Sequence, residues 1–249
     1  MPKQQVPIVV WFRLDLRLSD HAALTAAAET GAPILPLYIL DDETPGRFQI
    51  GGAARWWLNG SLEALNAAIA KLGGALVLRR GAAPNALGAI LDETGASAIY
   101  ATRGYEPWEP KLERDIAGLC KAKGAELKLF PGRLLFEPEA IHTGDGNPYR
   151  VFTPFYKACL AAPPPRAPQP APKRLTFASA KSETLAGFNL LPANPDWAGG
   201  LRATWRPGVA SACARLEHFI EHALAPPCPA QGPAEQGRPG AAEGAVVYE

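Results

Sequence analysis

The sequence predicts an α/β protein: a Rossmann-like, five-stranded parallel sheet of order 3-2-1-4-5 with helices on both faces. An irregular linker, a further helix and a disordered tail are expected to follow. Three observations lead there. Five short apolar runs alternate with segments of helical period, as repeated βαβ units require. The clearest helix carries Leu58, Leu62, Leu65, Ile69 and Leu72, in steps of four, three, four and three that keep them on one face. The turn after the first run is charged and holds no glycine between Arg13 and Asp20. A pyrophosphate cannot approach such a backbone closely, so the G-x-G-x-x-G reading fails.

Val9-Val10-Trp11-Phe12 reads as the first, buried strand. Ser19 or Asp20 is the expected N-cap of an alanine-rich helix over 21–29. Residues 34–40 form the second strand despite Pro36, and a polar loop covers 41–51. The leucine-striped helix stops at Gly73-Gly74, because glycine tolerates the left-handed residue past a helix end. Residues 75–78 are the third strand, 84–93 the third helix and 98–101 the fourth strand. Pro110 suits the first turn of the next helix, whose buried stripe is Leu112, Ile116 and Leu119. Residues 127–130 complete the sheet. With right-handed crossovers the chain reverses direction beside strand one, and ligands lodge at such a crevice. The turns at 13–20 and 103–108 and the loop from Asp41 are expected around it.

Residues 1–132 are therefore the α/β core and 133–208 a linker region. Within it, 163–172 is mostly proline and alanine and reads as a stiff, extended strap over the surface. A last helix follows at about 210–224, with Leu216, Phe219 and Ile220 on its apolar side, and 226–249 lacks any apolar period. The net charge of +1 gives no support for broad phosphate-backbone binding. No signal peptide or bilayer-length apolar run is visible, so the chain reads as cytoplasmic, with no membrane partner. Cys120, Cys159, Cys213 and Cys228 form no C-x-x-C pair and read as reduced thiols.

The opening stretch resembles the first strand and turn of the DNA photolyase and cryptochrome family, W-[FH]-R-x-D-L-R-[LI]-x-D-[NH]-x-x-L. Trp11, Phe12, Arg13, Asp15, Leu16, Arg17, Leu18, Asp20, His21 and Leu24 all fit it. Further on, Gly51 to Leu58, Arg103-Gly104-Tyr105-Glu106-Pro107, Tyr149 to Phe155, Trp205-Arg206-Pro207-Gly208 and Arg215-Leu216 to Phe219 are similar to later family stretches. The resemblance implies the N-terminal, antenna-binding part of a bacterial pyrimidine-dimer photolyase. Residues 209–225 then open the helical FAD domain, whose continuation is absent after Ala225, so the chain reads as truncated there.

What the family does follows as expectation. Its antenna, methenyltetrahydrofolate or 8-hydroxy-deazaflavin, feeds FAD, and the flavin repairs UV-damaged DNA. This chain alone is expected to bind the antenna, to retain no FAD, and to bind damaged DNA weakly or not at all. It is also expected to self-associate through an exposed interdomain face near Trp205 and Phe219. A cryptochrome-like signalling module is the alternative, and no catalytic residue is assigned.

The inner-crevice antenna site of the family's deazaflavin-type members carries over onto Tyr38, Leu40, Asp41 and Arg55, with Asp41 and Arg55 expected on opposite sides of a cavity. Glu106, Trp108 and Glu109 from the fourth-strand turn complete the chromophore set. The alternative folate site on the rim fits worse: Phe48 stands at its histidine, Trp108 at its asparagine, and Glu109 alone matches. Gly104 departs from an acidic residue sometimes found in that turn. Arg13, Asp15 and Arg17 are read as a structural motif fixing the turn. Trp56 and Trp57 are adjacent on a helix, so at most one faces the core. His218 and His222 have i,i+4 spacing but no third ligand, so no metal is expected.

Overall fold

A computed structural model describes residues 6–224; the tail placed at 226–249 lies outside them. Its sheet has five parallel strands: β1 Ile8–Phe12, β2 Ile34–Leu40, β3 Val77–Arg80, β4 Ala98–Thr102 and β5 Glu126–Phe130. They lie in the order β3-β2-β1-β4-β5, with β1 central.

Side chains alternate across the sheet and build two cores. Ile8, Val10 and Phe12 of β1 pack with α1 (Ala22–Glu29) and α2 (Gly52–Ala70). Val9 and Trp11 face α3 (Ala83–Thr94) and α4 (Glu109–Ala122) on the other side. Every β1 residue is buried, as a central parallel strand demands. Leu58, Leu62, Leu65 and Ile69 form the buried stripe of α2, while Leu72 lies past the helix end and is half-buried. Trp56 faces inward and Trp57 outward.

Pro36 sits inside β2 without breaking it. Ile34 bonds on that side to the chain around Phe177, whereas β3 begins pairing only at Leu37. The missing N–H falls in the gap between them.

Two local expectations need correction. The N-cap of α1 is His21, whose Nδ1 accepts the Leu24 N–H at 3.1 Å. Asp20 adopts a left-handed conformation, φ 49°, and lies outside the helix, as does Ser19. The third strand begins at Val77, two residues late, because Asn66 Oδ1 takes the Leu76 N–H and leaves it unavailable to the ladder.

Residues 163–172 carry no helix or strand. Asp20 holds this stretch down through Arg166 at 2.7 Å and a backbone bond to Gln169 O at 2.7 Å. Beyond it the chain returns to the sheet and covers the open edge of β3. Leu78 N–H donates to Ser182 Oγ and Leu78 O accepts from Glu183 N, while Phe188 and Leu190 enter the core. Thus an edge that would template aggregation is paired.

The remaining helices are α5 (Phe152–Ala161), α6 (Gly199–Thr204) and α7 (Val209–His222). The described residues fall into two compact units, the first ending at Ser211 and the second starting at Ala212. In the first unit Trp205 meets Trp57 edge-on at 5.9 Å, and Pro207 rests on Gly60. In the second, Leu216, Phe219 and Ile220 are exposed. Cys120 is buried, Cys159 half-buried and Cys213 exposed, all as free thiols. Among the described residues, no helix is long and apolar enough to cross a membrane.

Candidate functional site

At the C-terminal ends of β1, β2 and β4 the following loops enclose a cavity of about 530 Å³. Its inner wall is Trp11 from β1 with Tyr38, Ile39 and Leu40 from β2. The loop after β2 and the turn before α4 supply the sides, and Arg13 and Glu109 reach it from the buried side.

Beneath the cavity lies a buried ion network. The Arg13 side chain is buried and its guanidinium bonds to Glu109 Oε1 at 2.6 Å, to Glu113 Oε1 at 2.6 Å and to Thr102 O at 3.2 Å. A buried charge is tolerable only when so paired. Asp15, three per cent exposed, accepts the Arg13 N–H at 2.9 Å and the Thr102 hydroxyl. His21 Nδ1 accepts from the helix backbone, so its proton sits on Nε2, 2.9 Å from Asp15 Oδ2. That approach is too oblique for a good hydrogen bond, leaving an electrostatic contact. Burial pushes the Asp15 carboxyl upward, but His21, Thr102 and the Arg13 amide outweigh it and hold it well below the usual carboxylate range. Arg17 lies outside the cavity lining. It bonds to Asp20 O at 3.1 Å and Gly132 O at 3.4 Å, tying the turn to the chain after β5.

On the β2 side, Asp41 lines the cavity, yet its carboxylate is already engaged. It accepts from Glu43 N and Thr44 N through Oδ1, and from the Thr44 hydroxyl and Ala83 N through Oδ2. The last bond caps the start of α3 from another loop. Arg55 does not line the cavity. It pairs with Asp42 at 2.6 Å and reaches Ile50 O at 3.1 Å, so it braces the loop from behind. The geometry therefore places Asp41 and Arg55 in the same loop frame and not across the crevice from each other.

On the β4 side, Glu109 is as fully engaged as Asp41. Arg13 and Arg133 bind its carboxylate, and Oε2 also accepts the Glu106 N–H at 2.8 Å. A β-carbon at Gly104 would overlap this carboxylate, which explains why glycine stands there. Gly104 N donates to Glu113 Oε1 at 2.7 Å. Glu106 keeps an accessible carboxylate, 3.8 Å from Arg133.

Trp108 and Phe48 meet at the mouth, with ring centroids 5.1 Å apart and planes 24° from parallel. Of the residues anticipated from sequence, the cavity gathers Tyr38, Leu40, Asp41, Glu106, Trp108 and Glu109. Leu14, Thr44, Gln49 and Ile50 also line it and were missed. They occupy irregular loops, where neither period nor charge marks a side chain as facing inward. Burial, reinforced by nearby Asp42, raises Tyr38 well above the ordinary phenol range, so it stays a neutral donor.

The family model described as DNA photolyase matches residues 8–173. The chain is 41% identical over 226 residues to the deoxyribodipyrimidine photo-lyase of Agrobacterium fabrum, covering 90% of this chain and 47% of that one. It is 32% identical to cryptochrome-2 of Arabidopsis thaliana, with 89% and 37% covered. The structure of a bacterial class III photolyase from Agrobacterium tumefaciens superposes with a TM-score of 0.83 at 41% identity, covering 90% and 46%. The fold, a glycine-free first turn and a crevice at the strand ends define a photolyase-type α/β unit. This chain belongs to the DNA photolyase family, and it spans about half the length of the curated relatives it matches.

Proposed function

We propose that the crevice holds a light-harvesting chromophore, and that the chain is the antenna-binding part of a light-dependent DNA-repair flavoprotein. The observation that carries the reading is a cavity at the sheet's switch point whose volume falls in the ~300–1,000 Å³ range of small-ligand sites. Its walls suit a flat heteroaromatic ring: Trp11, Tyr38, Phe48 and Trp108 offer aromatic surface, and Ile39 and Leu40 offer aliphatic surface. The polar groups with spare capacity are Glu106 and Gln49, together with the neutral Tyr38 phenol. When bound, the chromophore would absorb near-ultraviolet or blue light and pass on the excitation.

Charge favours one of the two antennas. Asp41, Glu106 and Glu109 line the cavity against Arg13, and the two further groups bound to this set, Glu113 and Arg133, cancel. The acidic balance suits the cationic methenyl bridge of methenyltetrahydrofolate and opposes an ionised hydroxy-deazaflavin. Asp41 and Glu109 act here by shaping the walls and setting the field, because their oxygens are already bonded. Arg55 contributes by holding the loop.

The test is to purify the chain from its native host and record its absorbance. The expected result is a near-ultraviolet antenna band without stoichiometric flavin, even after added FAD, and no light-dependent loss of dimers from an oligonucleotide. A bound adenine nucleotide in place of the antenna would contradict the reading, and retained flavin with photorepair would assign the whole reaction to this chain.

A further inference from the structure

The strap over 163–172 is far from the crevice in kind as well as in sequence. Pro163, Pro164, Pro165, Pro168, Pro170 and Pro172 make up most of it. Proline holds φ at about −65°, and the residue before a proline is pushed out of the helical region into extended backbone. Every residue of the strap except Arg166 is a proline or precedes one. The chain accordingly runs from 163 to 172 without helix, strand, turn or bend. That is the behaviour of a polyproline II segment, which repeats every three residues and has no internal hydrogen bonds.

Arg166, the residue that proline leaves free, is the one that Asp20 holds. Its Nη1 lies 2.7 Å from Asp20 Oδ1. Asp20 N–H donates to Gln169 O at 2.7 Å, and Gln169 N–H donates back to Asp20 Oδ1 at 3.3 Å. The two anchors are three residues apart, one polyproline turn, so both ties fall on one side of the strap. Two pairs in the same period remain open, Pro164-Pro165 and Ala167-Pro168, and all four residues are exposed. Pro164 and Pro165 also edge the apolar cavity beside α5. Charge adds a direction. No Asp or Glu stands between 146 and 182, and Lys173 and Arg174 are exposed just past the strap.

We propose that the strap is a recognition segment for a protein domain that reads polyproline II, with a groove lined by aromatic rings and carboxylates where it meets Lys173 and Arg174. Pro165 and Pro168 form the Pro-x-x-Pro pair, and the two open pairs fill neighbouring slots between rings. The ties to Asp20 hold the segment in its bound shape beforehand, which lowers the ordering cost of association. The cations after the strap set which way the segment lies in the groove. A nucleic acid fits less well, because the open pairs carry no charge and Arg166 is already paired. This role is independent of the crevice.

The experiment titrates the full chain into two isotope-labelled probes, an SH3 domain and a WW domain, and follows their chemical shifts. The expected result is a saturable change confined to the aromatic groove of at least one probe. Pro165→Ala and Pro168→Ala are each expected to weaken that binding about tenfold, and Pro163→Ala, outside the open pairs, by less than about twofold. Asp20→Asn keeps a side chain that tolerates a left-handed backbone but loses the charge on Arg166, and should weaken binding about two- to fivefold. The proposal is overturned if neither probe binds, or if both Pro165→Ala and Pro168→Ala bind as the unaltered chain does. It is equally overturned if a duplex oligonucleotide binds in place of the probes and loses affinity on Lys173→Ala and Arg174→Ala, which would make the stretch a nucleic-acid contact.

Discussion

Two cavities in the first unit differ in how their walls are held. The crevice of about 530 Å³ rests on strand ends and is fixed from below by Arg13, Glu109 and Glu113, and from the side by Asp41. The other, about 910 Å³, lies between α5 and the irregular chain before and after it, including Leu134, Leu135, Ile141 and Pro164. Its lining is apolar and loosely covered, with Leu135 and Leu160 largely exposed. The larger space thus has few convergent polar groups and no sheet behind it. Both volumes fall in the range of small-ligand sites, so position at the strand ends, rigid walls and a few placed polar atoms separate the two.

The largest expected effect comes from removing the support that the crevice has and the other cavity lacks. Arg13→Met removes the cation from Glu113 and one of the two cations from Glu109, both buried, and should cost ~3–5 kcal/mol in a urea titration, with loss of chromophore binding. A cost under ~1 kcal/mol would mean that the network does not brace the crevice.

Acid should act on the same frame. A carboxyl whose folded pKa is depressed stabilises the fold above its unfolded value, ~3.9, and that stabilisation drains as pH falls from there through the lower folded value. Asp15 is such a group. Asp15→Asn should lower stability at neutral pH and flatten its fall below pH ~4. Curves that stay parallel from neutral pH into acid would remove Asp15 from the account.

A smaller effect separates bracing from contact. The Arg55–Asp42 pair is about a quarter exposed on each side, so Arg55→Gln should cost at most ~1 kcal/mol of stability. Chromophore affinity should fall by less than about threefold, under ~0.7 kcal/mol. A loss beyond tenfold, ~1.4 kcal/mol, would make Arg55 a direct ligand contact.

Much of this was legible from periodicity. The five alternating strands and the leucine stripe of α2 follow from residue periodicity, and the strand order from the commonness of that half-sheet. Adjacency on a helix lets only one of Trp56 and Trp57 face inward, without saying which. In the charged turn Arg13 and Asp15 are buried in a network, and Arg17 bonds to Asp20 O and Gly132 O outside it. What escaped depends on contacts distant in sequence. Arg13 meets Glu113 across a hundred residues, Asp41 caps a helix 42 residues on, and Leu78 finds its edge partners at Ser182 and Glu183. Nothing local announces such pairings. A carboxylate near a predicted crevice reads equally well as a ligand contact and as a cap, and only its occupied lone pairs decide between them.

The most direct measurement is a matched pair of substitutions read by absorbance titration with methenyltetrahydrofolate. Leu14 lines the crevice and Leu160 the apolar cavity, and both are 68% exposed, so either accepts a tryptophan without displacing buried side chains. Leu14→Trp should crowd the crevice and weaken binding about tenfold or more, ~1.4 kcal/mol or above, while Leu160→Trp leaves affinity unchanged. The reverse pattern, or equal affinity in both variants, would contradict the assignment of the crevice as the chromophore site.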